Sequence, residues 1–393
     1  MKAVTWHGRR DVRLEAVPDP VITEPTDAIV RVTSTAICGS DLHLYEVLGM
    51  YLDEGDILGH EAMGVVEAVG AEVAHIRVGD RVVVPFNISC GRCFMCDRQL
   101  YAQCETTQVR QHDKGAALFG YTRLYGSVPG AQAEYLRVPM AHFGPIKVPE
   151  GPPDERFLYL SDVLPTAWPA VAFADIPPGG SVAVYGLGPI GQMCARIARH
   201  RSADLVVGVD LVPERLDMAR RHGVEALHAG ELDDVPGAVR DLTHGRGPDA
   251  VIDAVGLEAH GAPLATLAQK AATLLPDAVA AEATGQLGVD RMKALLDAIA
   301  TVRRGGTLSI IGVYGGAADP LPMMDLFDKG VQIRMGQAHV RRWVGDILPL
   351  LVDADPLGTG DLATHVLPLE QAPRGYEIFQ KKQDGAIKVL LRP

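Results

Sequence analysis

The sequence predicts an α/β protein of two domains, a β-rich, barrel-like first part followed by a doubly wound parallel sheet. Three observations carry that prediction. At 393 residues the chain is longer than one ordinary core. Its first 150 or so residues are short alternating runs rich in Val and Thr, punctuated by Gly and Pro. From about residue 157 strands alternate with Ala-, Leu- and Arg-rich helices, the mark of a parallel sheet with helical crossovers.

Composition narrows the class further. A hydrophobic content of 47% with 22% charged residues is that of a soluble globular protein. The net charge of −12 argues against nucleic acid or an anionic membrane as partner, so a small molecule is expected. The chain opens straight into alternating residues with no apolar leader, and no apolar run is long enough to span a bilayer. A cytoplasmic location is expected, and there six cysteines read as metal ligands or core residues rather than disulfides.

In the first part, residues 28–33, 64–69 and 80–85 read as strands. Residues 58–73 place His60 and Glu61 at the tip of a Gly-bounded turn before one of these strands. A histidine beside a carboxylate on such a turn suits a rigid metal-binding corner; alone, His60 reads equally well as an ordinary turn histidine. Cys38 decides between them. It sits in Ile37-Cys38-Gly39-Ser40-Asp41-Leu42-His43, 22 residues before His60 and again in a Gly-flanked turn. One thiolate and one imidazole are two of the three protein ligands that a catalytic zinc takes before leaving a position for substrate. Asp162, a carboxylate in the apolar run Ser161-Asp162-Val163-Leu164, is the candidate for the third. Its competing reading is a helix cap or salt-bridge partner.

Between these ligands lies a second cluster. Cys90, Cys93, Cys96 and Cys104 have the spacing C-x2-C-x2-C-x7-C. Four thiolates in so short a loop can close round one tetrahedral ion, the pattern of a structural zinc. The bacterial ferredoxin spacing begins the same way but continues x3-C-P, whereas here the gap is seven and Glu105 follows.

Pro145, Pro149, Pro152 and Pro153 mark the exit from the β-rich part. Strands are then predicted at 182–185, 205–209, 250–253, 307–312 and 331–335, with helices from Pro189 and Pro213. The first strand runs into Gly186-Leu187-Gly188-Pro189-Ile190-Gly191, a G-x-G-x-x-G in strand-turn-helix context. Its glycines allow a tight turn and close approach of a pyrophosphate to a helix N-terminus. Asp210 ends the next strand, 19 residues after Gly191. A carboxylate there accepts hydrogen bonds from ribose hydroxyls and repels a 2′-phosphate, which favours NAD over NADP. Cys194 and Tyr185 read as core. Residues 258–300 read as an insertion with helices of its own, and 387–391 as a last strand.

Taken together, these residues resemble the zinc-containing medium-chain alcohol dehydrogenases, and within them the glutathione-independent, formaldehyde-dehydrogenase-like branch. Gly59-His60-Glu61 with Gly64, Gly70 and Val73 fits the family's zinc signature, the four clustered cysteines fit its structural lobe, and the resemblance covers essentially the whole chain. It implies a β-rich GroES-like catalytic domain over 1–164 together with 338–393, and a Rossmann NAD-binding domain over 165–337. It implies two zinc ions per chain, the catalytic one on Cys38, His60 and Asp162, with Glu61 able to approach it. Ser40 would contact the substrate oxygen, His43 would carry the proton towards solvent, and Thr166 would lie near the nicotinamide. Gly186, Gly188, Pro189, Ile190, Gly191, Asp210, Arg215, Val255 and Val313 would bind cofactor, and Lys388 stands where relatives carry an arginine for the pyrophosphate. Apart from the resemblance, Phe86 and Trp168 are candidate pocket walls, with simple core as the equal competing reading of either. The expected reaction is reversible hydride transfer between a small alcohol or aldehyde and NAD, by a homo-oligomer, dimer or tetramer. Residues 258–300 differ from the segment with which formaldehyde dehydrogenases enclose a permanently bound NAD, so formaldehyde as substrate is not carried over.

Two rival readings define the tests. One is a zinc-free, NADPH-dependent quinone or enone reductase of the same superfamily, against which Cys38, His60, Asp162 and Asp210 all stand. The other is a non-catalytic NAD-binding protein that keeps the fold.

Overall fold

The computed structural model describes residues 1–256, 292–314, 321–352 and 354–393. The chain divides into two compact units, Met1–Thr166 with Gln337–Pro393, and Ala167–Gly336. Most of the 258–300 segment lies outside the described residues.

The first unit opens with the hairpin β1 (Lys2–Gly8) and β2 (Asp11–Ala16). Strand β3 (Ala28–Ile37) follows, then helix α1 (Gly39–Glu46), β4 (Ala62–Val69), β5 (Arg81–Val84), β6 (Tyr135–Val138) and β7 (Ile146–Lys147). Helix α2 (Asp154–Leu158) leads to α3 (Val163–Ala174), inside which the chain leaves this unit.

The second unit holds β8 (Ser181–Tyr185), α4 (Pro189–His200), β9 (Leu205–Asp210), α5 (Pro213–Arg221), β10 (Glu225–His228) and α6 (Val235–Asp241). It continues through β11 (Ala250–Asp253), α7 (Lys293–Thr301), β12 (Thr307–Ile310), α8 (Met323–Lys329) and β13 (Gln332–Met335). Its sheet has the order β10-β9-β8-β11-β12-β13, parallel throughout. The order reverses direction beside β8, and in open sheets of this kind that switch point at the carboxyl ends is where ligands bind. The central strands are buried on both faces, which is why Val182, Ala183 and Val184 read as a continuous apolar run.

The chain then returns to the first unit with α9 (Val340–Val352), β14 (His365–Pro368), α10 (Ala372–Lys381) and β15 (Val389–Arg392). The sheet there runs β14-β15-β3-β4-β5-β7, with β6 also paired to β3. Two registers of this sheet build the site. Antiparallel pairing of Thr35 with Ala62 sets the end of β3 beside the start of β4, so Cys38 and His60–Glu61 leave adjacent strand ends. Antiparallel pairing of Val389 with Ile37 then brings Lys388 to the same place from the far end of the chain. Strand β3 runs four residues past its predicted end because it is paired on both sides and buried on both faces near Ile37, which erases the alternation.

Candidate metal centre and nucleotide loop

One atom each of Cys38, His60, Glu61 and Asp162 lies within 4.8 Å of the others, and all four residues are buried. Cys38 Sγ and His60 Nε2 are each 3.4 Å from Asp162 Oδ2. Local structure holds each one. Cys38 precedes α1, and its N–H donates to Asp41 Oδ2 at 3.0 Å. The other Asp41 oxygen is 3.1 Å from His60 Nδ1, so it fixes the ring with Nε2 facing the cluster. Asp162 precedes α3, where the Thr166 hydroxyl donates to its Oδ1 at 2.8 Å.

The residues fit a divalent cation. Glu61 has no exposed surface, and its Oε2 has no hydrogen-bond partner among the described residues. Burial and the neighbouring Asp162 push the Cys38 thiol up. Burial opposes a charge on His60, yet Asp41 and Asp162 outweigh it and raise its pKa well above the usual range. A set of one thiol, one imidazole and carboxylates, strained electrostatically in this way, is relieved by zinc.

The cysteine lobe is equally local. The ligand sulfurs of Cys90, Cys93, Cys96 and Cys104 also lie within 4.8 Å of one another, and all six cysteines of the chain are free thiols. Cys90 N–H donates to Cys104 Sγ at 3.3 Å and the Thr106 hydroxyl to Cys90 Sγ at 3.1 Å. Although burial opposes it, backbone N–H groups of Cys96 and Glu105 hold Cys93 down to about 6, which favours the thiolate a metal needs.

In the second unit, the glycine loop has the geometry its motif requires. Gly186 has φ +85°, and a Cβ on Gly191 would meet Gly186 O at 1.8 Å. Gly188 caps α4, with Pro189 and Ile190 as its first residues. Asp210 Oδ2 accepts the Leu187 N–H at 2.6 Å, and Oδ1 accepts Leu211 and Val212 N–H at 2.7 and 2.9 Å. Arg215 Nη1 is 3.6 Å from Asp210 Oδ2. Val255 and Val313 follow the carboxyl ends of β11 and β12.

Other expected residues fall out as follows. Ser40 is half-buried with Oγ 3.4 Å from His60 Nε2, and half-buried His43 is one turn further along α1. Thr166 orients the Asp162 carboxylate, a contact the sequence did not suggest. Lys388 has no exposed surface, and its ammonium bonds Glu61 Oε1 and, at 3.3 Å, Ile37 O, contacts the sequence did not suggest. The β15–β3 register brings its ammonium to the ligand cluster, beside Glu61. The Phe86 ring lies edge-on to His60 at 6.2 Å, whereas Trp168 packs under Arg201 in the other unit. Cys194 and Tyr185 are core; the Tyr185 hydroxyl is 2.6 Å from Thr301 Oγ1.

Sequence reasoning missed Asp41, Gln132, Tyr376 and Tyr121. Gln132 Nε2 donates to Asp41 Oδ2 at 3.3 Å and Tyr376 donates to Gln132 Oε1 at 2.9 Å, a buried chain ending at His60. Tyr121 stands edge-on to His60 at 6.5 Å. Only Asp41 left a trace, as the third residue of a helix that Cys38 begins.

The chain matches the family model for the alcohol dehydrogenase GroES-like domain over residues 24–150 and that for the zinc-binding dehydrogenase over 189–275. It is 40% identical to a zinc-type alcohol dehydrogenase-like protein, AdhB, of Bacillus subtilis, covering 100% of both chains. It is 32% identical to a formaldehyde dismutase of Pseudomonas putida, over 97% of this chain and 95% of that one. Among solved structures, an alcohol dehydrogenase from Thermus sp. ATN1 is similar with a TM-score of 0.81 and 35% identity, over 100% of this chain and 99% of the other.

Proposed function

The chain belongs to the zinc-containing medium-chain dehydrogenase family, and on that premise we propose that it is a zinc-dependent alcohol dehydrogenase that moves a hydride between an alcohol or aldehyde-hydrate carbon and NAD. The observation that carries this reading is the gathering of Cys38, His60, Glu61 and Asp162 within 4.8 Å in a buried pocket. A zinc ion held by Cys38, His60 and Asp162 would supply Lewis acidity, easing loss of an alcohol proton or polarising an aldehyde carbonyl. The remaining work falls to side chains of this protein. Ser40 takes the hydroxyl proton and hands it to His43, which passes it to solvent. Thr166 and Asp41 hold the Asp162 carboxylate and His60 ring in place. Lys388 anchors Glu61 through Oε1, and Oε2 has no hydrogen-bond partner among the described residues. The edges of Phe86 and Tyr121 around His60 favour a substrate with an apolar body.

Asp210 supports NAD over NADP, because a carboxylate at that strand end repels a 2′-phosphate. Arg215 is the neighbouring group that would favour NADP, and Asp210 engages its charge. The second ion, on the cysteine lobe, is read as structural. A homo-oligomer is part of the proposal: β13 is an edge strand with all four residues exposed, flanked by exposed Met323, Met324 and Phe327 on α8. So is a cytoplasmic location, in keeping with six free thiols and with no described helix long and apolar enough to cross a membrane.

The test combines metal analysis with NADH absorbance on a panel of formaldehyde, short and aromatic alcohols and polyols. The expected result is two zinc ions per chain and turnover of at least one alcohol or aldehyde, abolished in Cys38→Ser. One zinc or none with NADPH-driven quinone reduction would support the zinc-free reductase instead. NAD binding without turnover, indifferent to Cys38→Ser, would support the non-catalytic reading.

A further inference from the structure

The sheet order assigns the two halves of a dinucleotide to different strands. Asp210 ends β9, the glycine loop follows β8, and β11 and β12 lie on the opposite side of β8. With adenosine at Asp210 and pyrophosphate at the glycine loop, the nicotinamide half extends over the turns that follow β11 and β12. Those turns carry Val255 and Val313.

A buried pair ties the two turns together. Asp253, the last residue of β11, has no exposed surface, and among the described residues no Lys or Arg bonds to it. Its Oδ1 accepts the Val255 N–H at 3.0 Å, within its own turn. Its Oδ2 accepts the hydroxyl of Tyr314, next to Val313 in the other turn, at 2.5 Å. Its main-chain oxygen accepts Ile311 and Gly312 N–H at 3.0 and 2.9 Å. The turns also touch at two glycines: a Cβ on Gly312 would lie 2.3 Å from Gly256 N, and one on Gly256 would lie 2.5 Å from Val313 N. On the near side, a Cβ on Gly186 would lie 2.8 Å from Val255 Cγ2, so the platform abuts the glycine loop. A buried carboxyl with no cation is costly, and every hydrogen bond this one makes fixes one of these turns.

We propose that Asp253 and Tyr314 are positioning residues that lock the turns after β11 and β12 into one platform for the nicotinamide half of the cofactor. The proposal rests on the reading of this unit as a dinucleotide site. Its test is titration of the full-length protein with NADH and, separately, with ADP-ribose, which lacks the nicotinamide. In Tyr314→Phe the dissociation constant for NADH rises about tenfold, as for loss of one hydrogen bond to a charged group, while that for ADP-ribose stays within about twofold of wild type. Asp253→Asn, whose amide oxygen accepts the Val255 N–H while its NH2 donates to the tyrosine oxygen, loses less than Tyr314→Phe. An equal loss for both ligands in Tyr314→Phe, or none for either, would overturn the latch while leaving the dinucleotide reading standing. Wild-type protein that binds neither ligand would overturn both.

Discussion

Asp41 has no exposed surface, and the ring of His60 is held through it, since one carboxylate oxygen faces Nδ1 and the other accepts the Cys38 N–H. Asp41→Asn keeps the shape but removes the charge that orients the ring and makes it a better ligand. Zinc affinity at this site is expected to fall about 10- to 100-fold, measured by competition with a chromophoric chelator, with the cysteine-lobe zinc retained. A parallel argument applies to Asp210, whose carboxylate engages Arg215 and, on the proposed reading, guards against a 2′-phosphate. Asp210→Asn removes the repulsion and frees the guanidinium. The ratio of kcat/KM for NADP to that for NAD is expected to rise about 10- to 100-fold, the scale of a hydrogen bond to a charged group; an unchanged ratio would place cofactor choice elsewhere. At this scale the sequence is legible where partners are near neighbours. Cys38 and Asp41 are three residues apart, whereas Gln132 lies 91 residues from Asp41 and Tyr376 another 244 from Gln132. The Lys388–Glu61 bond was illegible for the same reason, because the two residues are 327 apart and only strand pairing brings them together.

The elements show the same division between local and distant causes. The cysteine lobe and the glycine loop are each contiguous, so spacing alone describes them. The support of the lobe is not contiguous: Ala102 N–H donates at 3.1 Å to Nδ1 of His339, which comes from beyond the second unit. That acceptor role requires neutral imidazole, and burial, with Arg342 nearby, holds His339 down to about 4 from an ordinary 6.5. The sign follows from the unfolded chain, which binds a proton between those values that the folded chain does not. The contribution is complete above pH 6.5 and is lost as pH falls towards 4. Since the ring is only partly buried, it is expected to be worth about 1–2 kcal/mol after solvent screening. Denaturant midpoints measured across that range should fall with pH in the wild type and fall less in His339→Gln; equal slopes would mean that His339 is not the titrating group.

For the molecule as a whole, the open question is how the exposed edge of the second unit's sheet is covered. Strand β13 has one partner among the described residues, β12, and its outer side offers unpaired N–H and C=O groups. Edge strands of stable monomers are usually blunted by inward charges, bulges or proline. Here Ile333 and Met335, two residues apart and so on one face, are 44% and 64% exposed, and Phe327 on α8 is 80% exposed. A second copy related by a two-fold axis satisfies both needs at once, since antiparallel pairing of β13 with itself continues the sheet and brings the two apolar patches together. Light scattering after size-exclusion is therefore expected to give at least a dimer for the wild type. Ile333→Lys combined with Met335→Lys puts like charges opposite each other across the axis and is expected to yield monomers at concentrations where the wild type is assembled. Neither position belongs to the glycine loop or the Asp253–Tyr314 platform, so ADP-ribose binding should survive in the monomer. A wild type that is already monomeric, or a double variant of unchanged mass, would show that copies of this chain do not meet along β13.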